Sequence, residues 1–143
     1  MAGSGARELA ERVHAVAIHL LRRVRGVDAE SGLSAARLSA LSVLVFGGPR
    51  TITELAESEQ VTAATMSRLV SGLAGSGLVS RDGDARDRRR VRVVATAAGR
   101  AALEAARGRR VDRVVALLSG LGPVERRSVR EAVAILEDAL GGS

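Results

Sequence analysis

The 143-residue chain carries 22 basic against 16 acidic side chains, a formal net charge of +6, and every basic residue is arginine. That length suits one domain, or one partner-binding lobe joined to one oligomerisation lobe, and the positive excess favours a polyanionic partner. The absence of cysteine excludes disulfides, thiolate metal sites and thiol redox switching, and a single aromatic residue, Phe46, argues against a pocket built on ring stacking.

Residues 1–8 lack the apolar core of a signal peptide, and no run approaches the roughly 18 apolar residues of a membrane span. A soluble cytoplasmic protein with no membrane partner is expected. Residues 6–25 place Leu9, Val13, Val16, Leu20 and Val24 at helical spacing, with Gly26 as the stop. Ala10, Ala17, Ile18 and Leu21 widen that apolar stripe, so the helix should pack on more than one side. Ser34 is placed to cap a second helix with Leu38, Leu41 and Leu44 inward, ended by Gly47-Gly48-Pro49.

Residues 51–53 are short and β-branched and read as a minor strand. Thr53 is placed to cap a third helix over 54–59, and Thr62 a fourth over 63–76. Residues 79–82 and 91–95 read as the strands of a hairpin. Thr96 caps a long helix to about Ser119, and Gly120 to Pro123 break it. A last helix sets Val129, Val133, Leu136 and Leu140 on one face. The first helix and the last two carry more apolar surface than one small chain can cover, and a second copy would cover it.

The middle of the chain bears the functional pattern. Leu55, Ala56, Val61, Met66, Leu69, Val70 and Leu73 form the apolar set of a helix-turn-helix. The outer face of its second helix is then Ala63, Ala64, Thr65, Ser67, Arg68 and Ser71, small and polar with no acid. Such a face suits a major groove: hydroxyls and arginine reach phosphates or base edges, and alanine meets thymine methyls. The hairpin that follows holds six arginines (Arg81, Arg86, Arg88, Arg89, Arg90, Arg92) against three aspartates (Asp82, Asp84, Asp87). A basic loop there acts as a wing on phosphates or in the minor groove. Asp87 and Arg89, two apart, would project to one side of an extended strand, close enough for the carboxylate to hold the guanidinium.

These segments resemble the MarR-type transcriptional regulators over nearly the whole chain. The wing signature appears as Asp84-Ala85-Arg86-Asp87-Arg88-Arg89, the helix opening as Thr96-Ala97-Ala98-Gly99, and the helix-turn-helix pattern as Leu55-Ala56, Val61, Met66, Leu73 and Gly77-Leu78-Val79. Ala95 departs from the pattern, where leucine commonly precedes the threonine. The resemblance implies a mainly α fold with a small β-wing: a winged helix-turn-helix over 34–96 and a helical dimerisation lobe from 1–33 and 97–143. It implies a homodimeric repressor on an inverted-repeat operator in double-stranded DNA, with Arg89, buttressed by Asp87, reaching the minor groove. A small-molecule effector between the lobes would release the DNA. Thr62, Ala63, Ala64, Thr65, Ser67, Arg68, Arg86, Asp87, Arg88, Arg89 and Arg90 are the expected DNA-binding residues.

No enzyme is expected. His14 and His19 are five apart on a helix, about 140° around the axis, and share no face. No Gly-rich phosphate loop, catalytic triad or paired metal site stands out, so neither cofactor nor metal is expected. Glu54, Glu57 and Glu59 read as a solvated face near a helix start. The rival reading is a winged-helix protein-interaction module, whose signature would be the absence of salt-sensitive DNA binding.

Overall fold

A computed structural model describes residues 3–83, 86–87 and 89–141. Along the chain run α1 (Ser4–Arg25), a 3-10 turn (Asp28–Ser31), α2 (Ala35–Gly47), β1 (Arg50–Thr51), α3 (Ile52–Glu59), α4 (Ala63–Gly75), β2 (Val79–Asp82), β3 (Arg92–Ala95), α5 (Ala97–Ser119) and α6 (Pro123–Ala139). The fold is mainly α with a small antiparallel sheet in the order β1-β3-β2.

Most helix starts are set by local hydroxyl chemistry. Ser34, Thr62 and Thr96 each accept the backbone N–H three residues on, at 3.1–3.2 Å. The third helix differs from expectation: Thr51, not Thr53, is its cap. Thr51 Oγ1 accepts from Glu54 N at 3.2 Å, and Glu54 Oε2 accepts from Thr51 N at 3.0 Å. The Thr-x-x-Glu spacing satisfies two orphan donors at once, which a cap at Thr53 does not. The minor strand therefore lies one step earlier than expected, with Arg50 opposite Val93 and Thr51 opposite Arg92.

The core sits in the middle of the chain. Leu41 and Leu44 of α2, Leu55 of α3, Met66, Val70 and Leu73 of α4 and Val93 of β3 are fully enclosed. Val61, expected among them, is 37% exposed, because the left-handed Gln60 ends α3 and turns the chain outward before α4. Ala95 lies in the core, where its small side chain fits between sheet and helices.

Gly77 and Gly99 join this core to α5. Gly77, at φ 73°, closes α4 by turning the chain back so that Leu78 N donates to Leu73 O at 2.9 Å. Thr96 Oγ1 donates to Gly77 O at 2.6 Å, and Thr96 N to Leu78 O at 3.0 Å. A Cβ on Gly99 would collide with the Leu78 carbonyl, so only glycine lets the first turn of α5 lie this close to β2.

By contrast α1 and α6 bury no residue. Val16, Ile18 and Leu21 of α1, Val111 and Val115 of α5, and Val133, Ile135 and Leu136 of α6 are all exposed.

Candidate nucleic-acid interface

The second helix of the helix-turn-helix, α4, presents one face to solvent. Met66, Val70 and Leu73 pin the other face into the core. Ala63, Ala64, Thr65, Ser67, Arg68 and Ser71 are exposed, so the small polar face lies where the periodicity puts it. Thr62 is occupied with folding: its hydroxyl accepts from Thr65 N and donates to Thr65 Oγ1 at 2.9 Å.

Two arginines from other elements flank the last turns of α4. Arg81 of β2 donates from Nη2 to Ser71 Oγ at 3.2 Å. Arg37 of α2 lays its guanidinium against the backbone of Gly72, where a Cβ would displace it. Sequence reasoning counted Arg81 only as part of the basic hairpin and did not single out Arg37, because neither lies on the helix it adjoins. Gly72 was the available signal: a glycine inside a helix costs about 1 kcal/mol against alanine and calls for a packing reason.

The wing tip departs from the extended strand expected of it. Arg90 N donates to Asp87 O at 3.0 Å, the i-to-i+3 bond of a turn. Asp87 Oδ1 accepts from Arg89 N at 3.0 Å, and Asp87 Oδ2 lies 3.4 Å from Arg90 Nε. The carboxylate therefore binds the backbone of Arg89 and the side chain of Arg90, and does not hold the Arg89 guanidinium. A turn rotates successive side chains away from the common side that an extended strand would give them. Arg86, Arg89 and Arg90 are exposed. Asp84, Ala85 and Arg88 fall outside the described residues.

Away from this face, Asp28 is buried and receives Arg110 through a two-pronged ion pair, Nε–Oδ1 at 2.8 Å and Nη2–Oδ2 at 2.7 Å. These hydrogen bonds, aided by the carboxylate's charge and opposed by desolvation, raise the Arg110 pKa above its ordinary value. The pair ties the 3-10 turn after α1 to the middle of α5. A cavity of about 250 Å³ opens between α1, α2 and α5, with Leu21, Leu38 and Leu103 as apolar wall and Arg25, Arg107 and Arg110 as charged wall. A broader groove of about 540 Å³ between α1 and α5 is lined almost wholly by Ala, Val and Leu side chains. Among the described residues no cluster of histidine and acidic side chains could hold a metal, and no single helix is long and apolar enough to cross a membrane.

Comparison with known proteins agrees with this geometry. The model of the MarR family matches residues 31–90, the segment from the 3-10 turn to the wing. The HTH-type transcriptional regulator ML2140 of Mycobacterium leprae is 32% identical over 94% of both chains. The HTH-type transcriptional regulator MT0903.1 of Mycobacterium tuberculosis is 32% identical over 90% of both. Among solved structures, transcriptional regulator Tm0710 from Thermotoga maritima superposes with a TM-score of 0.80 at 23% identity, over 94% of each chain. A mutant of Staphylococcus aureus MepR bound to an oligodeoxyribonucleotide shares the fold at a TM-score of 0.72 and 19% identity, over 92% of this chain and 97% of that one.

Proposed function

Because the chain belongs to the MarR family of transcriptional regulators, we propose that it is a homodimeric repressor that binds an inverted-repeat operator in double-stranded DNA. The observation that carries this reading is the contrast between the middle of the chain and its two terminal helices. The middle of the chain holds a closed core and turns an acid-free helix face and a basic wing outward, while α1 and α6 bury nothing. Helices whose apolar faces stay largely exposed in their own chain suit a second copy, and a two-fold dimer suits a palindromic site. Residues 34–96 would be the DNA-reading lobe, and residues 1–33 and 97–143 the dimerisation lobe.

In this reading the α4 face of Ala63, Ala64, Thr65, Ser67 and Arg68 enters the major groove, with Thr62 holding the helix start. Arg86, Arg88, Arg89 and Arg90 work from the wing, shaped by Asp87. The arginine-rimmed cavity between α1, α2 and α5 is where an anionic effector would bind and alter the spacing of the two reading helices. The protein acts in the cytoplasm, where such an operator is accessible.

Selection of bound fragments from random duplex DNA by the purified chain, paired with light scattering, tests the proposal. The expected result is a dimer that enriches an inverted repeat with half-site centres about 10–10.5 base pairs apart. A 14.8 kDa monomer at micromolar concentration would overturn the dimer. Binding that is absent or insensitive to salt would overturn the DNA reading in favour of a protein-interaction module.

A further inference from the structure

We infer that Arg37 and Arg81 form a phosphate clamp, one guanidinium on each flank of the recognition helix, each aimed by the α4 residue it adjoins. This rests on the DNA-binding reading and assigns contacts to two residues outside both α4 and the wing tip. Ser71 and Gly72 are successive residues, about 100° apart around the α4 axis, and Arg68, three and four residues before them, lies between. Arg81 is bonded to Ser71 and Arg37 lies on Gly72, so the two guanidinia straddle the exposed ridge that carries Ala64 and Arg68.

A helix with its side chains is about 10–12 Å across, and the major groove is about 12 Å wide. A helix seated there has one phosphate strand along each flank. Arg37 and Arg81 stand where those strands would run, beside the last turns of α4 and away from its base-reading start. Gly75 adds no side chain to that end of the ridge.

The charges point to the same partner. Among the described residues neither Arg37, Arg68 nor Arg81 forms an ion pair. Three guanidinia sharing one helix face without a carboxylate repel one another, and each keeps donors in the fork geometry that binds two phosphate oxygens. Phosphate relieves the repulsion and uses the donors. Gly72 makes the placement of Arg37 possible, because any larger residue pushes the guanidinium off the helix.

The test is fluorescence anisotropy with two mixed-sequence 30-base-pair duplexes, titrated from about 50 to 200 mM salt. Wild-type protein, Arg37→Gln, Arg81→Gln, Ser71→Ala and Gly72→Ala are compared, with thermal unfolding of each. Arg37→Gln and Arg81→Gln should each lower the salt slope by about one unit per protomer and weaken both duplexes alike, several-fold. Ser71→Ala and Gly72→Ala keep every charge, so a diffuse field predicts no change; the clamp predicts several-fold weaker binding to both duplexes. Gly72→Ala should melt no lower than wild type, since the displaced atoms are the end of a flexible side chain and alanine favours a helix. A wild-type slope in Arg37→Gln or Arg81→Gln, or a loss confined to one duplex, overturns the clamp. A wild-type protein that shows no salt-dependent binding to either duplex overturns the DNA reading itself, which is a separate failure.

Discussion

Asp87 pairs with Arg90 across a single turn at the wing tip, its Oδ2 3.4 Å from Arg90 Nε, while its Oδ1 accepts the backbone N–H of Arg89. The ion pair is solvent-exposed and contributes little to folding. Its consequence is shape: the carboxylate fastens the tip, and the Arg89 guanidinium projects from a backbone that is held in place.

This geometry decides the sign of a wing substitution. Asp87→Ala removes a negative charge, which by simple electrostatics should tighten DNA binding. It also releases the turn that presents Arg89, and the expected outcome is weaker binding. Asp87→Asn keeps an oxygen for Arg89 N while removing the negative charge that faces Arg90, so it should bind close to wild type or better. Arg89→Ala should weaken operator binding roughly ten- to a hundred-fold with folding unchanged. Anisotropy against a selected operator at moderate salt checks all three, and tighter binding by Asp87→Ala would refute the role given to the turn.

The Asp28–Arg110 pair makes a different prediction, because its carboxylate is buried. Asp28→Ala leaves Arg110 with no partner at a site still partly open to water. Hydrogen bonds to charged groups contribute about 1.5–3 kcal/mol, and the access of Arg110 to solvent places the expected loss toward the lower end. Denaturant unfolding should show the midpoint falling in Asp28→Ala. It should fall less in the double variant Asp28→Ala with Arg110→Leu, where no charge is left unpaired.

Gly99 should tolerate no side chain. A Cβ there meets the Leu78 carbonyl, a backbone atom that cannot rotate aside. Gly99→Ala should therefore cost about 1–3 kcal/mol as an overpacked contact. That is the reverse of the gain expected for glycine to alanine on an open helix face, such as Gly108 of α5, which has nothing within 4 Å of a Cβ. Comparing the melting of the two variants separates local packing from helix propensity.

On α6, Leu136→Glu should abolish the proposed dimer without unfolding the winged helix. The helix buries no residue of its own chain, so a charge there costs the isolated protomer little. Light scattering should fall to the 14.8 kDa mass while far-ultraviolet dichroism retains its helical signal. A Leu136→Glu protein that remains dimeric would remove α6 from the interface.

The chain order of helices, hairpin and caps was legible in the sequence because each rests on interactions within a few residues. Thr62 and Thr96 reach donors three positions on, and the apolar spacing of Met66, Val70 and Leu73 requires one buried face on any helix. Thr51 shows the limit of such reading: two threonines competed to cap one helix, and the reciprocal bond from Glu54 decided between them. What only the tertiary structure decided are the meetings of residues far apart in the chain. Asp28 finds Arg110 82 positions away, Arg37 lies on Gly72, and Arg81 reaches Ser71. Nothing in local spacing encodes these contacts, because they depend on how α2, the sheet and α5 are set against one another by the core. The Asp87–Arg90 contact is local, yet it too depended on three-dimensional form: a turn in place of an extended strand sends the carboxylate to a different arginine.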